Sequence, residues 1–266
     1  MYKLISIDIF ANFGMLKKPD TNEPVYLTFN MLHKPALFGI LGAIIGESGF
    51  KEKGKLPDYY LKLRDLKIGI QPLQHEKGNF QKTTIKYNNT TGFANQGEKA
   101  KGEKHCPGAT LNIVEQTLIA PTYRCYFLFN MESEHQHKAD EYLSKYSAEY
   151  LPYLGKNEFS IWWENYEIHK YSEFKTDGSF KISSIYVKDQ PVEGSKDIQP
   201  FSPFGFDEGN TFSYFEHLPI GYIDIGKKNY QYQYRNFAFT DWTLKSDYKV
   251  NFTILQISDG SIIQVF

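Results

Sequence analysis

The sequence predicts an α+β fold: a β-α-β-(hairpin)-β-α-β unit over residues 1–169, followed by a β-rich region over residues 170–266. Three observations lead there. In the first 169 residues, apolar runs of strand length alternate with two segments of helical spacing. A polar stretch over about residues 74–111, dense in Gly and Lys, interrupts that alternation. Beyond residue 170 only short strand-like runs follow, separated by Gly, Pro, Asp and Asn.

Each element has a local reason. Residues 1–10 alternate and are rich in Ile and Leu, so they form the first strand. Residues 11–33 read as loop, with Pro19, Asn22 and Pro24. Pro35 suits the first turn of a helix, where its missing N–H costs no hydrogen bond. That helix runs to about Ile45 and stops at Gly46 or Gly49. Gly39, Gly42 and Gly46 are spaced by three and four and share one helix face. Each costs about 1 kcal/mol against Ala, so the close approach of another backbone is expected there, with helix-on-sheet packing the plainer cause. Residues 66–73 form the second strand. Residues 83–87 and 109–113 are the arms of a projecting hairpin, and residues 113–119 and 123–130 are strands flanking Pro121. Residues 137–149 place Ala139, Tyr142, Leu143 and Tyr146 on one side of a helix. A turn over 153–159 and a strand over 159–168 complete the order. This order is the ferredoxin-like split βαβ pattern, the topology of RNA-recognition modules. The runs at 180–187, 220–225, 230–239 and 248–257, with the C-terminal residues, form a small β-rich domain or extend the first sheet.

Composition narrows the function classes. The 266 residues include 20 Tyr and 21 Phe, which favours β structure and aromatic contact surfaces. Net charge is −1, yet residues 1–111 carry 16 Lys/Arg against 10 Asp/Glu, a net +6, and residues 112–266 carry −7. Such a split implies a basic face for an anionic partner and an acidic face for something else. The two cysteines, Cys106 and Cys125, make neither a disulfide framework nor a four-ligand zinc site. The longest apolar stretch, residues 35–46, falls short of the about 20 residues that span a bilayer. With no basic-then-apolar leader at residue 1, a reduced, cytoplasmic protein without membrane contact is expected. No glycine-rich phosphate loop follows the first strand. His135-Gln-His137 lacks a second ligand cluster, so no metal and no cofactor is expected. Trp162 and Trp163 are adjacent on a strand and point to opposite faces, one to the core and one to a possible subunit contact.

Three motifs carry a family resemblance. The first is the N-terminal strand, the loop Lys17-Lys18-Pro19, and residues 28–46 with Pro35 followed by Gly39, Gly42, Ala43 and Gly46. The second is Glu115-Gln-Thr-Leu118 followed by Pro121-Thr-Tyr-Arg124. The third, the most specific, is Pro152-Tyr-Leu-Gly155-Lys-Asn-Glu-Phe159. Together they cover roughly residues 1–165. The chain resembles the Cas-five family, the RAMP-type subunit of type I CRISPR surveillance (Cascade) complexes of antiviral defence, with subtype I-B the best match. The resemblance implies a subunit that holds the 5′ handle of the CRISPR RNA. It implies a thumb hairpin reaching target DNA near the start of the guide–target duplex. It also implies contacts to a Cas-seven-type backbone subunit and to a large Cas-eight-type subunit.

A guide handle is a single strand, held by cations along its phosphates, by stacking of its bases on aromatic rings, and by backbone N–H groups. Candidate RNA-binding residues are Lys17 and Lys18 after the first strand, Lys34 before the helix, and the turn Gly155-Lys156. Gly155 allows the backbone close to phosphate and Lys156 supplies charge. In the hairpin, Lys82, Lys86, Lys99, Lys101 and Lys104 add cations, and Phe93 beside Gly92 is placed to stack on a base or wedge against a pair. The expected activity is binding rather than catalysis. The alternative is a metal-independent endoribonuclease that processes precursor CRISPR RNA, as subtype I-C relatives do. It would use Lys104 and His105 with Tyr59, or Tyr60, as the third member. In subtype I-B a separate Cas-six enzyme is the expected processor.

Overall fold

In the computed structural model, which describes residues 1–19, 25–89, 111–175, 178–188, 212–227, 229–244 and 252–266, the first strand, β1 (Tyr2–Ala11), is buried on both faces over residues 4–9. Burial on both faces marks a central strand. Three two-residue strands follow, β2 (Phe13–Gly14), β3 (Leu16–Lys17) and β4 (Thr28–Phe29), where the sequence suggested only loop. Then come helices α1 (Lys34–Ile45) and α2 (Asp58–Leu63) and strands β5 (Lys67–Leu73), β6 (Lys82–Asn89), β7 (Leu111–Ile119) and β8 (Thr122–Asn130). Helix α3 (Glu134–Ser144) and strand β9 (Ile161–His169) close the first half.

Strands β5, β8, β1 and β9 lie side by side in that order, every pair antiparallel. Helix α1 lies on the path from β1 to β5, and α3 on the path from β8 to β9. Ile5, Ile7 and Ile9 project from β1 into a core shared with Leu37, Phe38, Leu41 and Ile44 of α1. The fold is thus mixed and strand-rich, with antiparallel sheets, as an α+β reading requires.

Several boundaries differ from the sequence expectation. Helix α1 begins one residue earlier, because His33 caps it: its Nδ1 accepts from the Ala36 N–H at 3.3 Å. It ends where expected, at Gly46 in the left-handed region (φ 78°). What meets its glycine face is a side chain rather than a backbone. A Cβ on Gly42 would lie 2.5 Å from the Tyr59 Cβ, and one on Gly39 3.8 Å from the same ring. Helix α3 is shifted toward the N-terminus, and Tyr146 (φ 52°) lies beyond its end. The hairpin is β6 paired with β7, from Lys82↔Leu118 to Asn89↔Leu111. Its base is therefore at Lys82 rather than at residue 74, and residues 74–81 form a separate turn with Gln74, Lys77 and Gly78 at positive φ. β7 also pairs with β2, which ties the hairpin base to the N-terminal segment.

The second half adds β10 (Tyr171–Glu173), β11 (Tyr186–Val187), β12 (Ser213–Asp224), β13 (Tyr230–Thr240), β14 (Thr253–Ile257) and β15 (Ile262–Val265). They form two three-stranded sheets, β10-β14-β15 and β11-β13-β12. Beside β15, Ile68 and Phe266 exchange backbone hydrogen bonds of 3.2 and 3.0 Å, which joins the C-terminal sheet to the β5 edge. Leu255, Ile257, Ile263 and Val265 cover Leu4, Tyr126 and Leu128 on the face of the first sheet opposite α1. Leu218, Phe237 and Phe239 belong to the same buried cluster as β1 and α1. The core therefore runs without a break across residue 169. Among the described residues no helix is long and apolar enough to cross a membrane.

Candidate nucleic-acid interface

The ribbon β3–β4 fixes the first lysine pair. Thr28 is buried, and its hydroxyl accepts from the Leu16 N–H at 2.8 Å, so the ribbon is pinned by a side chain as well as by its backbone. Lys17 is exposed and its Nζ sits 3.9 Å from the centre of the Tyr26 ring, a cation–π distance. Lys18 Nζ lies 3.4 Å from Glu216 Oε1 on β12. The same carboxylate accepts from the backbone N–H groups of Asn30 (3.1 Å) and Met31 (3.0 Å), so it is held in place before any cation arrives. Lys82 enters from the hairpin base and donates to Asn30 Oδ1 at 2.8 Å. Burial lowers the Lys82 pKa and nearby Lys18 pulls the same way, while Glu216 opposes them. Lys18 and Lys82 are thus brought together around Asn30 and Glu216, a convergence that their distance in sequence conceals.

The Gly155-Lys156 turn has a different cause from the one expected. Gly155 sits at φ 86°, and a Cβ there would lie 1.9 Å from the Met15 carbonyl oxygen. The close approach it permits is to the chain's own backbone. Lys156 Nζ donates to Glu115 Oε1 at 2.6 Å and to the Tyr87 hydroxyl at 3.2 Å. Partial burial works against its charge, but the hydrogen bonds to Glu115 and Tyr87 outweigh it and hold the ammonium pKa above its ordinary value. Because Glu115 is on β7 and Tyr87 on β6, Lys156 clamps the hairpin base to the turn.

Lys34 also points inward. Its Nζ donates to the Phe266 backbone oxygen at 2.8 Å, and burial pulls its pKa down to about 8. Lys86 is exposed on β6. Phe93, Lys99, Lys101, Lys104 and His105 lie outside the described residues. Tyr59 packs on the glycine face of α1, and burial pushes its hydroxyl pKa up to about 12. A hydroxyl in that state donates hydrogen bonds but does not take up a proton. The Tyr60 hydroxyl accepts from the Tyr222 N–H at 3.1 Å. The Trp pair divides as expected: Trp163 is buried, while Trp162 is exposed and stacks on Phe10 at 5.7 Å.

A cleft lined by tyrosines adds candidate functional residues beyond those expected from the sequence. One lobe, of about 730 Å³, lies between α1 (Pro35, Gly39, Ala43), Tyr59 and the Tyr153–Gly155 turn. The next, of about 650 Å³, lies between Lys18, Phe29, His217, Tyr230 and Tyr234. Tyr222 and Tyr232 line both lobes. Tyr222 stacks on Tyr232 with centres 5.1 Å apart, and His217 on Tyr234 at 4.7 Å. The signal was present as Tyr230-Gln-Tyr232-Gln-Tyr234, a period of two that puts all three rings on one face of β13. No group of His, Cys, Asp and Glu among the described residues is arranged to hold a metal. His135 Nδ1 instead lies 3.0 Å from Glu47.

No family model matches the chain, and no curated protein does. Among solved structures it is similar to a CRISPR protein from Archaeoglobus fulgidus, at 12% identity over 100% of this chain and 98% of that one, with a TM-score of 0.48. It is similar to a chain of a CRISPR RNA-guided surveillance complex, at 12% identity over 90% of this chain and 89% of that one, with a TM-score of 0.48. It is also similar to a CRISPR-associated protein, at 12% identity over 62% of this chain and 68% of that one, with a TM-score of 0.34.

Proposed function

We propose that this chain is a non-catalytic subunit of a type I CRISPR surveillance complex that holds the single-stranded 5′ handle of the guide RNA. One observation carries the reading: the three motifs behind the Cas-five resemblance meet in one place. Met15, just before Lys17-Lys18, packs its carbonyl on Gly155 of the third motif. Lys156 of the third motif bonds Glu115 of the second. Pro35, Gly39 and Ala43 of the first line the same cleft as Leu154 and Gly155. Segments more than a hundred residues apart thus build one cleft with Lys18 on its rim. The strand order β5-β8-β1-β9 with two helical crossovers supports a ferredoxin-like, RAMP-type core.

In this reading Lys17 and Lys18 meet the phosphates, while Lys34 and Lys156 hold the scaffold. The clamped hairpin base aims the thumb toward the guide–target duplex, and the Cas-seven-type and Cas-eight-type subunits are the neighbouring proteins. The test is to incubate the purified protein with labelled repeat RNA in EDTA. The RNA is expected to be retained and uncut, with the single strand preferred over a duplex of the same sequence. A discrete cut abolished by His105→Ala would overturn the non-catalytic assignment. Equal or absent retention of both RNAs would overturn handle binding.

A further inference from the structure

We infer that the tyrosine face of β13, with Tyr222 and His217 of β12, is a stacking platform for successive bases of single-stranded RNA. The inference rests on the handle-binding reading and names the part of the molecule that recognises the bases. Three features lead to it. The first is room. Protein interiors are close-packed, yet these rings line about 650 Å³ of open space, and Tyr230 is 37% exposed at its edge. Rings serving only as core would fill that space.

The second is spacing. Tyr230, Tyr232 and Tyr234 alternate along a strand, so their Cα atoms are about 6.6 Å apart. That is a repeat of the order of an extended nucleic-acid backbone, one ring per nucleotide. Stacking of this kind tolerates any base, because every base has a π-face. Gln231 lines the same space and offers an amide to a base edge.

The third is charge. Lys18 stands at one end of the platform. At the other end, Tyr230 shares a depression with Lys51, Lys53 and Lys55 of the loop before α2. Lys51 and Lys55 also face Asp58 (3.5 Å) and Glu52 (2.8 Å), both exposed contacts that an RNA phosphate can displace. Aromatic rings between two lysine-bearing rims match the chemistry of a single-stranded polyanion with planar bases. They do not match an apolar peptide.

The experiment uses the intact protein and an oligouridine of about eight nucleotides carrying 5-bromouracil, beside an abasic strand of equal length. Photocrosslinks are expected on Tyr230, Tyr232 or Tyr234. Tyr230→Ala is expected to weaken oligouridine binding about tenfold, while Tyr230→Phe keeps it and the abasic strand binds both variants alike. Tyr230 is at the surface, so its replacement leaves the core intact, and the crosslink map needs no variant. If oligouridine bound but crosslinked elsewhere, and Tyr230→Ala changed nothing while Lys17→Ala weakened binding, the platform would be refuted and the handle reading would stand. If the strand bound only weakly and these tyrosines were shielded solely by an added protein subunit of the complex, the cleft would be a protein interface and the inference would fail. No binding to any strand would remove both readings.

Discussion

At the scale of single residues, the candidate interface is built by groups whose neighbours leave them little freedom. Gly155 is the sharpest case, with positive φ and the Met15 oxygen where a Cβ would be. Gly155→Ala is predicted to cost at least about 2 kcal/mol, read as a lower urea midpoint at unchanged slope. Among the described residues, Lys156→Ala leaves the buried Glu115 carboxylate with the Tyr87 hydroxyl at 3.3 Å. The predicted loss is about 1–3 kcal/mol, and adding Glu115→Gln should return most of it. Both residues were visible in the sequence as a specific turn motif. Their partners were not, because Met15 reaches the turn through its backbone bond to Leu154, and Glu115 reaches Lys156 through the path of the hairpin. A lysine's sign is legible from sequence, but whether a carboxylate faces it is decided by tertiary structure. Lys34 and Lys156, expected to meet RNA, each face an acceptor of the chain itself in the fold.

At the scale of elements, helix α1 shows how local chemistry and tertiary packing share the work. Its start and stop were readable from Pro35 and Gly46. The partner of its glycine face was not, since α2 is only six residues long and gives a weak periodic signal. The cap, His33, is 4% exposed and packs against Phe29 and Tyr232. Burial drops its pKa from 6.5 to about 3. The imidazole stays neutral in the fold while the unfolded chain takes up a proton below pH 6.5, so the unfolded state binds more protons over that window. The His33 contribution to stability is therefore predicted to be level above pH 6.5 and to fall by about 1.4 kcal/mol per pH unit on acidification toward pH 3. His33→Asn keeps an N-cap and removes the titration, so urea unfolding across that range should show a flatter acid limb.

At the scale of the whole molecule, the two halves are less separate than their composition suggests. The charge split pointed to a basic front for RNA and an acidic rear for something else. In the structure the rear half contributes β12 and β13 to the same cleft, and its Phe237, Phe239 and Phe266 to the same core. A chain cut after residue 169 is thus predicted not to give a cooperative unfolding transition, whereas the full chain gives one. Lys17, over the Tyr26 ring, and Lys18, on the rim of the cleft, are proposed to take the phosphates of single-stranded RNA. The most direct test is the salt dependence of handle-RNA binding between about 50 and 200 mM salt. A steep fall in affinity is expected, with the slope of log K against log salt reduced by about 0.7 in Lys17→Ala and again in Lys18→Ala. A flat response in the parent protein, or slopes unchanged in both variants, would contradict this proposal.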